Sequence, residues 1–350
     1  MNASAPRSPC RVVMFQRRPL AGQHSIERVF ADVRSALPPD VDVATCILPF
    51  ESRGLIKRLR NMLFVWRQRG DVNHITGDVH YVALVLPKRS TVLTVLDLVS
   101  VNRLSGVRRL LFVLFWYRLP VRRCGLVTVI SEWTRSELVS LLPNAEGKTV
   151  VVPCPVSPGF RPSPLQHQNP TVVLQVGTSA NKNLQRVVEA VSGLPIRMRI
   201  VGHLNGTQLE SLSASSVEFT CASLLTVEEM AAEYTNCDIV MFASTYEGFG
   251  LPILEAQASG RPIITSSVAS MPEVAHGGAL LVDPLNVGEI REAVYSLISD
   301  PLLCHSLVER GFKNVERFSP QAIASAYATI YRSACSRAGL AAVQRATDLA

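Results

Sequence analysis

Two glutamates in the second half of the chain have a type and spacing that could do chemistry. Glu247 and Glu255 are separated by seven residues, Gly-Phe-Gly-Leu-Pro-Ile-Leu. The largely apolar residues 238–243 before them predict a short buried strand. Gly248 and Gly250 predict a loop whose backbone can approach a ligand, and the proline two residues later suits the first turn of a helix. Because a helix N-terminus presents unpaired N–H groups, we expect an anion to bind here, with the carboxylates accepting hydrogen bonds from sugar hydroxyls.

A second loop of the same kind contains a lysine. Residues 171–177 predict a strand that ends at Gly177, and the apolar spacing after residue 183 predicts a helix. Lys182 lies in the loop between them, next to Asn183. A lysine at such a junction offers a point charge to a diphosphate.

The string from Glu247 to Glu255 resembles the E-x7-E motif of retaining glycosyltransferases of family 4 (group 1), which have the two-domain GT-B architecture. Lys182 and Asn183 are similar to the Lys-Asn pair of that family's Gly-Thr…Lys-Asn loop. The resemblance implies that Glu247 holds the donor sugar near its anomeric carbon and that Glu255 accepts a hydrogen bond from the ribose. It implies a donor-binding set made of Gly177, Lys182, Asn183, Gly248, Phe249, Gly250, Leu251 and Glu255.

The fold implied is α/β, with two Rossmann-like domains whose parallel sheets face across a cleft and a C-terminal helix that crosses back to the first domain. Regular β-α spacing over residues 171–298 independently predicts a parallel sheet. A proline-rich stretch near residue 160 marks a boundary. We therefore expect an acceptor-side domain over 1–165, a donor-binding domain over 166–315, and a helix with a tail over 316–350.

The chain begins with a predicted strand, a turn-rich loop and a helix, but lacks G-x-G-x-x-G, so a standard NAD site is not expected. The loop resembles the glycine-bearing first loop of the same transferases, which places Gly22 and Gln23 at the cleft.

Polar residues end two further predicted strands of the first half. Since ligands lie outside the carboxyl ends of parallel strands, the residues expected to face a sugar are His74, Asp78, His80 and Asp97. The family commonly has His-Asp at the second of these strand ends, whereas Leu96 precedes Asp97 here. Two outcomes are open: His80 substitutes for that histidine, or activity is lost. The predicted catalytic set is Glu247, Asp97 and His80.

The charge of the chain indicates which partners to expect, and its cysteine content indicates which cellular compartment. Residues 1–165 have 23 Lys and Arg against 11 Asp and Glu, and the remainder has the opposite sign, for a net charge of +7. The basic half favours a phosphate-bearing or anionic lipid partner, and no nucleic-acid motif is present. Eight scattered cysteines without C-x-x-C pairs predict reduced thiols in a cytosol. No apolar run approaches the ~18 residues that a membrane-spanning helix needs.

Two basic segments, 55–69 and 108–123, predict amphipathic helices. One interpretation is a surface that rests on anionic lipid. The other is ordinary packing on the sheet with arginines that extend to solvent.

The predicted function is retaining transfer of a sugar, with mannose from GDP-mannose favoured, to an acceptor hydroxyl in glycan, polysaccharide or O-antigen synthesis. The nucleotide-diphosphate sugar is a substrate, no permanent cofactor is expected, and the absence of Asp-x-Asp implies no metal. The acceptor is a glycan or a lipid-linked glycan, and the location is cytoplasmic or peripheral on the inner face of the cytoplasmic membrane. The alternatives are a non-catalytic nucleotide-sugar-binding or membrane-associated scaffold subunit, and a sugar-nucleotide epimerase on the same fold.

Overall fold

The computed structural model describes residues 10–19 and 25–336, and the chain divides into two compact units. The first unit combines the chain up to Pro155 with the chain from Pro320 onward, and the second unit is Val156–Ser319. Residues 156–165, which the sequence analysis placed in the first domain, thus belong to the second unit.

The first unit contains a parallel sheet of six strands in the order β2-β1-β3-β4-β5-β6. Its central strands are buried along their length, as in sheets covered on both faces. The strands are β1 Cys10–Gln16, β2 Val41–Ile47, β3 Val72–Ile75, β4 Thr91–Val95, β5 Leu126–Val129 and β6 Thr149–Val151.

Helices of the first unit connect these strands, and the last helix of the described chain joins them. They are α1 Ser25–Ser35, α2 Leu55–Arg67, α3 Val99–Asn102, α4 Gly106–Phe112, α5 Leu119–Arg123 and α6 Glu132–Leu141, with α14 Pro320–Ser336. A π-helical segment, Val113–Arg118, joins α4 to α5. The helix α14 packs against α1, β1, β2 and β3 of the same unit.

The second unit repeats the architecture with the order β12-β11-β10-β7-β8-β9, again parallel throughout. Its strands are β7 Thr171–Val176, β8 Ile196–Val201, β9 Glu218–Ala222, β10 Ile239–Phe242, β11 Ile263–Ser266 and β12 Leu280–Val282. Its helices are α7 Leu184–Val191, α8 Gly206–Ala214, α9 Val227–Thr235, α10 Leu251–Ala258, α11 Met271–Ala275, α12 Val287–Ser299 and α13 Pro301–Val315. Two parallel α/β sheets confirm the predicted fold class.

A buried arginine ties the proline-rich stretch to the second unit. The Arg261 side chain is 1% exposed, and its guanidinium donates to the carbonyls of Ser163, Pro164 and Thr235 and to the Ser163 hydroxyl. Burial lowers the pKa of Arg261 from its ordinary value. Because the bonds to Ser163 and Pro164 span 97 or 98 residues of sequence, no local pattern could have moved the predicted boundary to residue 155.

The helix α2 turns most of its apolar side chains to solvent. Leu55, Leu59, Leu63 and Trp66 are between 47% and 73% exposed, whereas Asn61 and Val65 are its buried residues. The segment from α4 to α5 exposes further apolar side chains, Val107, Leu110, Leu111 and Phe115. No helix within residues 10–19 and 25–336 is long and apolar enough to cross a bilayer.

Candidate functional site

The second unit has a topological switch point between β7 and β10. The chain runs outward from β7 to β9 on one side of the sheet and from β10 to β12 on the other. The loops that leave β7 and β10 therefore diverge to opposite faces, and the crevice between them is where ligands bind in open α/β sheets. The Lys182 loop follows β7, and the Glu247 loop follows β10.

Lys182 and Glu247 meet at this switch point. The Lys182 Nζ lies 2.7 Å from Glu247 Oε1, and both side chains are about one-sixth exposed. The Asn181 Nδ2 donates to the same carboxylate oxygen at 3.1 Å and to the Tyr246 carbonyl at 3.0 Å. Nζ also lies 4.3 Å from the centroid of the Phe242 ring. The site thus presents a half-buried ion pair that a charged ligand can reach.

The backbone of the loop after β7 packs closely against the Lys182 side chain. Gly177 has φ +87°, and a Cβ there would lie 2.9 Å from Lys182 Cε, so a side chain would displace the lysine. Asn183 is buried and adopts the left-handed conformation, φ 59°. Its Nδ2 donates to the carbonyls of Ala243 and Pro284, which joins this loop to the end of β10.

The glycine loop before α10 is held by Ser270. The Ser270 Oγ lies 3.0 Å from the Glu247 carbonyl oxygen and 2.7 Å from that of Phe249. Gly250 precedes α10 with φ +110°, a conformation that disfavours any side chain. Leu251 begins the helix, and the Phe249 ring is buried against Phe318. The loop that contains Glu247 and Gly248 therefore leads directly into the N-terminus of α10.

Glu255 lies within α10 and is 5% exposed. Its Oε2 accepts a hydrogen bond of 2.7 Å from the Tyr234 hydroxyl on α9. A buried carboxylate requires such donors, because an unpaired charge in the interior is costly. The predicted contact with a ribose stays a prediction, and the Tyr234 hydroxyl is one donor that holds this carboxylate.

The histidines predicted to face a sugar are interior residues of the first unit. His74 is fully buried, with Nδ1 2.7 Å from the Tyr331 hydroxyl and Nε2 2.7 Å from the Thr94 hydroxyl, and burial lowers its pKa to about 3. The expectation for His74 was wrong, since its hydrogen bonds join the sheet to α14.

His80 is 3% exposed, and its Nδ1 lies 3.0 Å from the Trp116 carbonyl oxygen. Its ring packs against those of Trp116 and Tyr117, and burial lowers its pKa, while nearby Asp78 and Asp97 act in the opposite direction. His80 therefore lies in a packed interior position, and its catalytic role stays a prediction.

Asp97 follows β4, and its Oδ1 accepts a hydrogen bond of 3.0 Å from the Val99 amide, while its carbonyl accepts from the Tyr117 hydroxyl. The carboxylate is half-buried, and its catalytic role stays a prediction. Gly22 and Gln23 lie outside the described residues.

Three residues that shape the site are not among the predicted site residues: Asn181, Tyr234 and Ser270. Asn181 lies directly before the predicted Lys182. Tyr234 and Ser270 lie on other elements, and no spacing within the motif pointed to them. Among residues 10–19 and 25–336, no group of three or more His, Cys, Asp or Glu side chains could hold a metal ion.

The comparisons with known proteins agree with this geometry. Residues 170–300 match the family model described as glycosyl transferases group 1. The chain is 30% identical over 191 residues to an MMP alpha-(1->4)-mannosyltransferase of Mycolicibacterium hassiacum, covering 51% of this chain and 46% of that protein. It is 26% identical over 216 residues to O-antigen chain mannosyltransferase B of Escherichia coli, covering 55% and 57%. The chain thus spans about half the length of these curated relatives.

Solved structures match over a larger share of the chain. HepE from Anabaena, in complex with UDP and glucose, aligns with a TM-score of 0.73 at 16% identity, covering 93% of this chain and all of that chain.

The two parallel sheets and this structural likeness define a protein of the GT-B fold. Residues 170–300, within the second unit, match the glycosyl transferases group 1 model. This match confirms the predicted resemblance to that group for this part of the chain.

Proposed function

We propose that this protein transfers a sugar from a nucleoside-diphosphate sugar to an acceptor hydroxyl, with retention of the anomeric configuration. The observation that carries the proposal is the Lys182–Glu247 pair at the β7/β10 switch point of a group 1 domain. A cation beside a helix N-terminus suits a diphosphate, and a carboxylate beside them suits the hydroxyls of the attached sugar.

The proposed chemistry uses the ion pair as an exchangeable contact. Lys182 leaves Glu247 for the donor diphosphate, and the N–H groups at the start of α10 share the charge that develops on this leaving group. Glu247 then accepts hydrogen bonds from hydroxyls near the anomeric carbon. Glu255, oriented by Tyr234, accepts from the ribose.

The bond from the anomeric carbon to the diphosphate oxygen breaks as the bond to the acceptor oxygen forms on the same face. The acceptor proton passes to the departing diphosphate, so atoms and charges balance without a protein base.

The donor we propose is GDP-mannose, used in the synthesis of a polysaccharide, an O-antigen or a related glycan. The matched curated relatives from M. hassiacum and E. coli are mannosyltransferases by name. HepE, which shares the fold, was solved with UDP and glucose, so the base and the sugar both require a direct test.

The test of this function is transfer of label from GDP-[13C]mannose to a bacterial glycolipid extract, followed by NMR of the product. We expect an α-linked mannosyl product, which retains the donor configuration. Lys182→Met is expected to lower the rate by about a hundredfold, the size of effect seen when one charge-stabilising donor is removed. Lys313→Met, at an exposed lysine of α13, is the control and keeps the wild-type rate. A β-linked product contradicts retention, and binding without transfer to any acceptor favours the scaffold alternative.

We propose that the protein also rests on an anionic membrane surface, at the inner face of the cytoplasmic membrane. The support is the exposed apolar side of α2, where Leu55, Leu59 and Leu63 are each at least 54% exposed beside Lys57 and Arg60. Apolar side chains flanked by cations are typical of helices that lie in the interface of a bilayer.

Sedimentation with vesicles tests the membrane contact. We expect binding to phosphatidylglycerol vesicles to exceed binding to phosphatidylcholine vesicles and to weaken in high salt. Leu59→Glu should reduce it, whereas Leu302→Glu, at an 82% exposed leucine of the second unit, should leave it unchanged. Equal sedimentation of wild type and Leu59→Glu would show that α2 is not the contact.

A further inference from the structure

The first unit contains a basic pocket, separate from the Lys182–Glu247 site, whose lining includes Asp78, one of the residues expected to face a sugar. Its volume is about 280 Å³, and we call it the arginine pocket. It is lined by Arg17, Arg18, Glu51, Ser52, Arg53, Arg58, Asp78, Ser100, Phe112 and Trp116.

The arginine pocket lies where the topology of its sheet predicts a ligand. In the order β2-β1-β3-β4-β5-β6 the chain reverses direction between β1 and β3, so this sheet has its own switch point. Arg17 and Arg18 follow β1, Arg53 follows β2, and Asp78 follows β3. Ligands of open parallel sheets bind outside these carboxyl ends.

One wall of the pocket holds an arginine in a fixed position. The Arg58 Nε donates to the Ser52 carbonyl at 2.9 Å, and its guanidinium lies 5.1 Å from the Trp116 ring centroid. The Phe112 ring stacks on Trp116, with 5.7 Å between centroids. A guanidinium held in this way loses little freedom on binding an anion.

The charges in the pocket favour an anion. Its lining has four arginines against two carboxylates. The Trp116 Nε1 donates to Asp78 Oδ1 at 2.7 Å, and Glu27 accepts from Arg17 Nε at 3.0 Å. Arg18 and Arg53 are exposed, and neither has a hydrogen bond or an ion pair within the described part of the chain. Unpaired guanidinium groups around a pocket are suited to bidentate contact with phosphate.

We propose that the arginine pocket binds a phosphate group carried by the acceptor, with Arg53, Arg58 and Arg18 as its ligands. This inference rests on the proposed function, because it names the acceptor class of that reaction: a hydroxyl compound that bears a phosphate. The volume is near the lower end of ligand pockets, about 300 Å³, so the group that enters is a single small headgroup or phosphorylated sugar. A soluble sugar phosphate and a phospholipid headgroup present the same chemistry.

Titration of two variants with defined probes tests the assignment. The probes are inorganic phosphate and glucose 6-phosphate for the soluble source, and phosphatidylcholine vesicles containing phosphatidylinositol phosphate for the lipid source. We expect Arg53→Gln to weaken binding of the effective probe by about tenfold or more, as for loss of one charged hydrogen bond. Arg89→Gln is the matched control. Arg89 is an exposed arginine at the amino end of β4, whereas the arginine pocket lies at the carboxyl ends of the strands.

Two comparisons separate this proposal from the proposed function. Stabilisation by nucleotide sugars should survive in Arg53→Gln, and phosphate binding should survive in Lys182→Met. A probe that binds only as vesicles, with loss in Arg53→Gln, assigns the lipid source, and binding of glucose 6-phosphate assigns the soluble source. The assignment of phosphate binding to the arginine pocket is overturned if wild type and Arg53→Gln bind phosphate equally. It is also overturned if phosphate affinity is lost only in Lys182→Met. Tighter binding of glucuronate than of glucose 6-phosphate also overturns it, since the group recognised is then a carboxylate.

Discussion

At the scale of single residues, the candidate site depends on two carboxylates in different surroundings. Glu247 is paired with Lys182 and partly exposed, so its contacts are exchangeable. Glu255 is buried and bonded to the Tyr234 hydroxyl. The motif spacing predicted both glutamates, but spacing alone could not distinguish an exchangeable carboxylate from a fixed one, because burial depends on α9.

Removal of the Tyr234 hydroxyl tests the fixed carboxylate. Tyr234→Phe removes the hydroxyl that donates to the buried Glu255 carboxylate, so we expect the free energy of unfolding to fall by about 1–3 kcal/mol. Urea unfolding of the protein measures this change. The control is Tyr295→Phe, since Tyr295 is 61% exposed on α12 and should change little. Equal unfolding midpoints for the two variants would mean that the bond contributes nothing.

At the scale of elements, a buried polar network joins α14 to the first sheet. The His74 ring bridges the Tyr331 hydroxyl on α14 and the Thr94 hydroxyl on β4, and the Thr94 hydroxyl lies 2.7 Å from that of Thr128 on β5. Phe30 and Tyr327 pack edge-on and tilted against the same ring. The histidine therefore stabilises the return of the chain to the first unit.

This network predicts a specific pH dependence of stability. In the unfolded chain a histidine binds its proton below about pH 6.5, whereas burial lowers the pKa of folded His74 to about 3. Unfolding thus takes up a proton between these values. The contribution of His74 is fully present above pH 6.5 and is lost as the pH falls toward 3, with a slope approaching ~1.4 kcal/mol per pH unit.

The comparison that isolates this residue is His74→Gln against wild type in urea at several pH values. The difference in unfolding free energy between the two proteins should shrink as the pH falls from 6.5 toward 3. A difference that stays constant over that range would show that His74 is not the titrating group.

Local sequence patterns predicted where helices lie, but they did not predict which of their side chains are buried. Helical spacing of apolar residues predicted a helix over 55–69, and the structure has α2 at Leu55–Arg67. The same spacing could not show which side is buried, and the apolar side chains of α2 lie mostly in solvent while Asn61 is buried. Asn61 is buried because its amide bonds the Phe50 backbone and the Tyr81 hydroxyl, partners that only the tertiary fold supplies.

At the scale of the whole molecule, regular β-α spacing over residues 171–298 predicted the second parallel sheet, and the resemblance based on the motifs implied both. The boundary between the units was less accessible, because Arg261 binds Ser163 and Pro164 across almost a hundred residues. The contacts of His74 with the last helix and of His80 with Trp116 were also not predictable, since strand-end position does not show which side chains other elements cover. The donor-side loops were predictable because strand, glycine loop and helix are local features.

The central claim is that the second unit binds a nucleoside-diphosphate sugar at Lys182. The most direct measurement is thermal unfolding of wild type and Lys182→Met with GDP-mannose, UDP-glucose and other nucleotide sugars. We predict that one donor, GDP-mannose, stabilises the wild type by about 2.7 kcal/mol at a hundredfold its dissociation constant, and that this shift is lost in the variant. If no nucleotide sugar shifts the melting temperature of the folded wild type, the claim is contradicted.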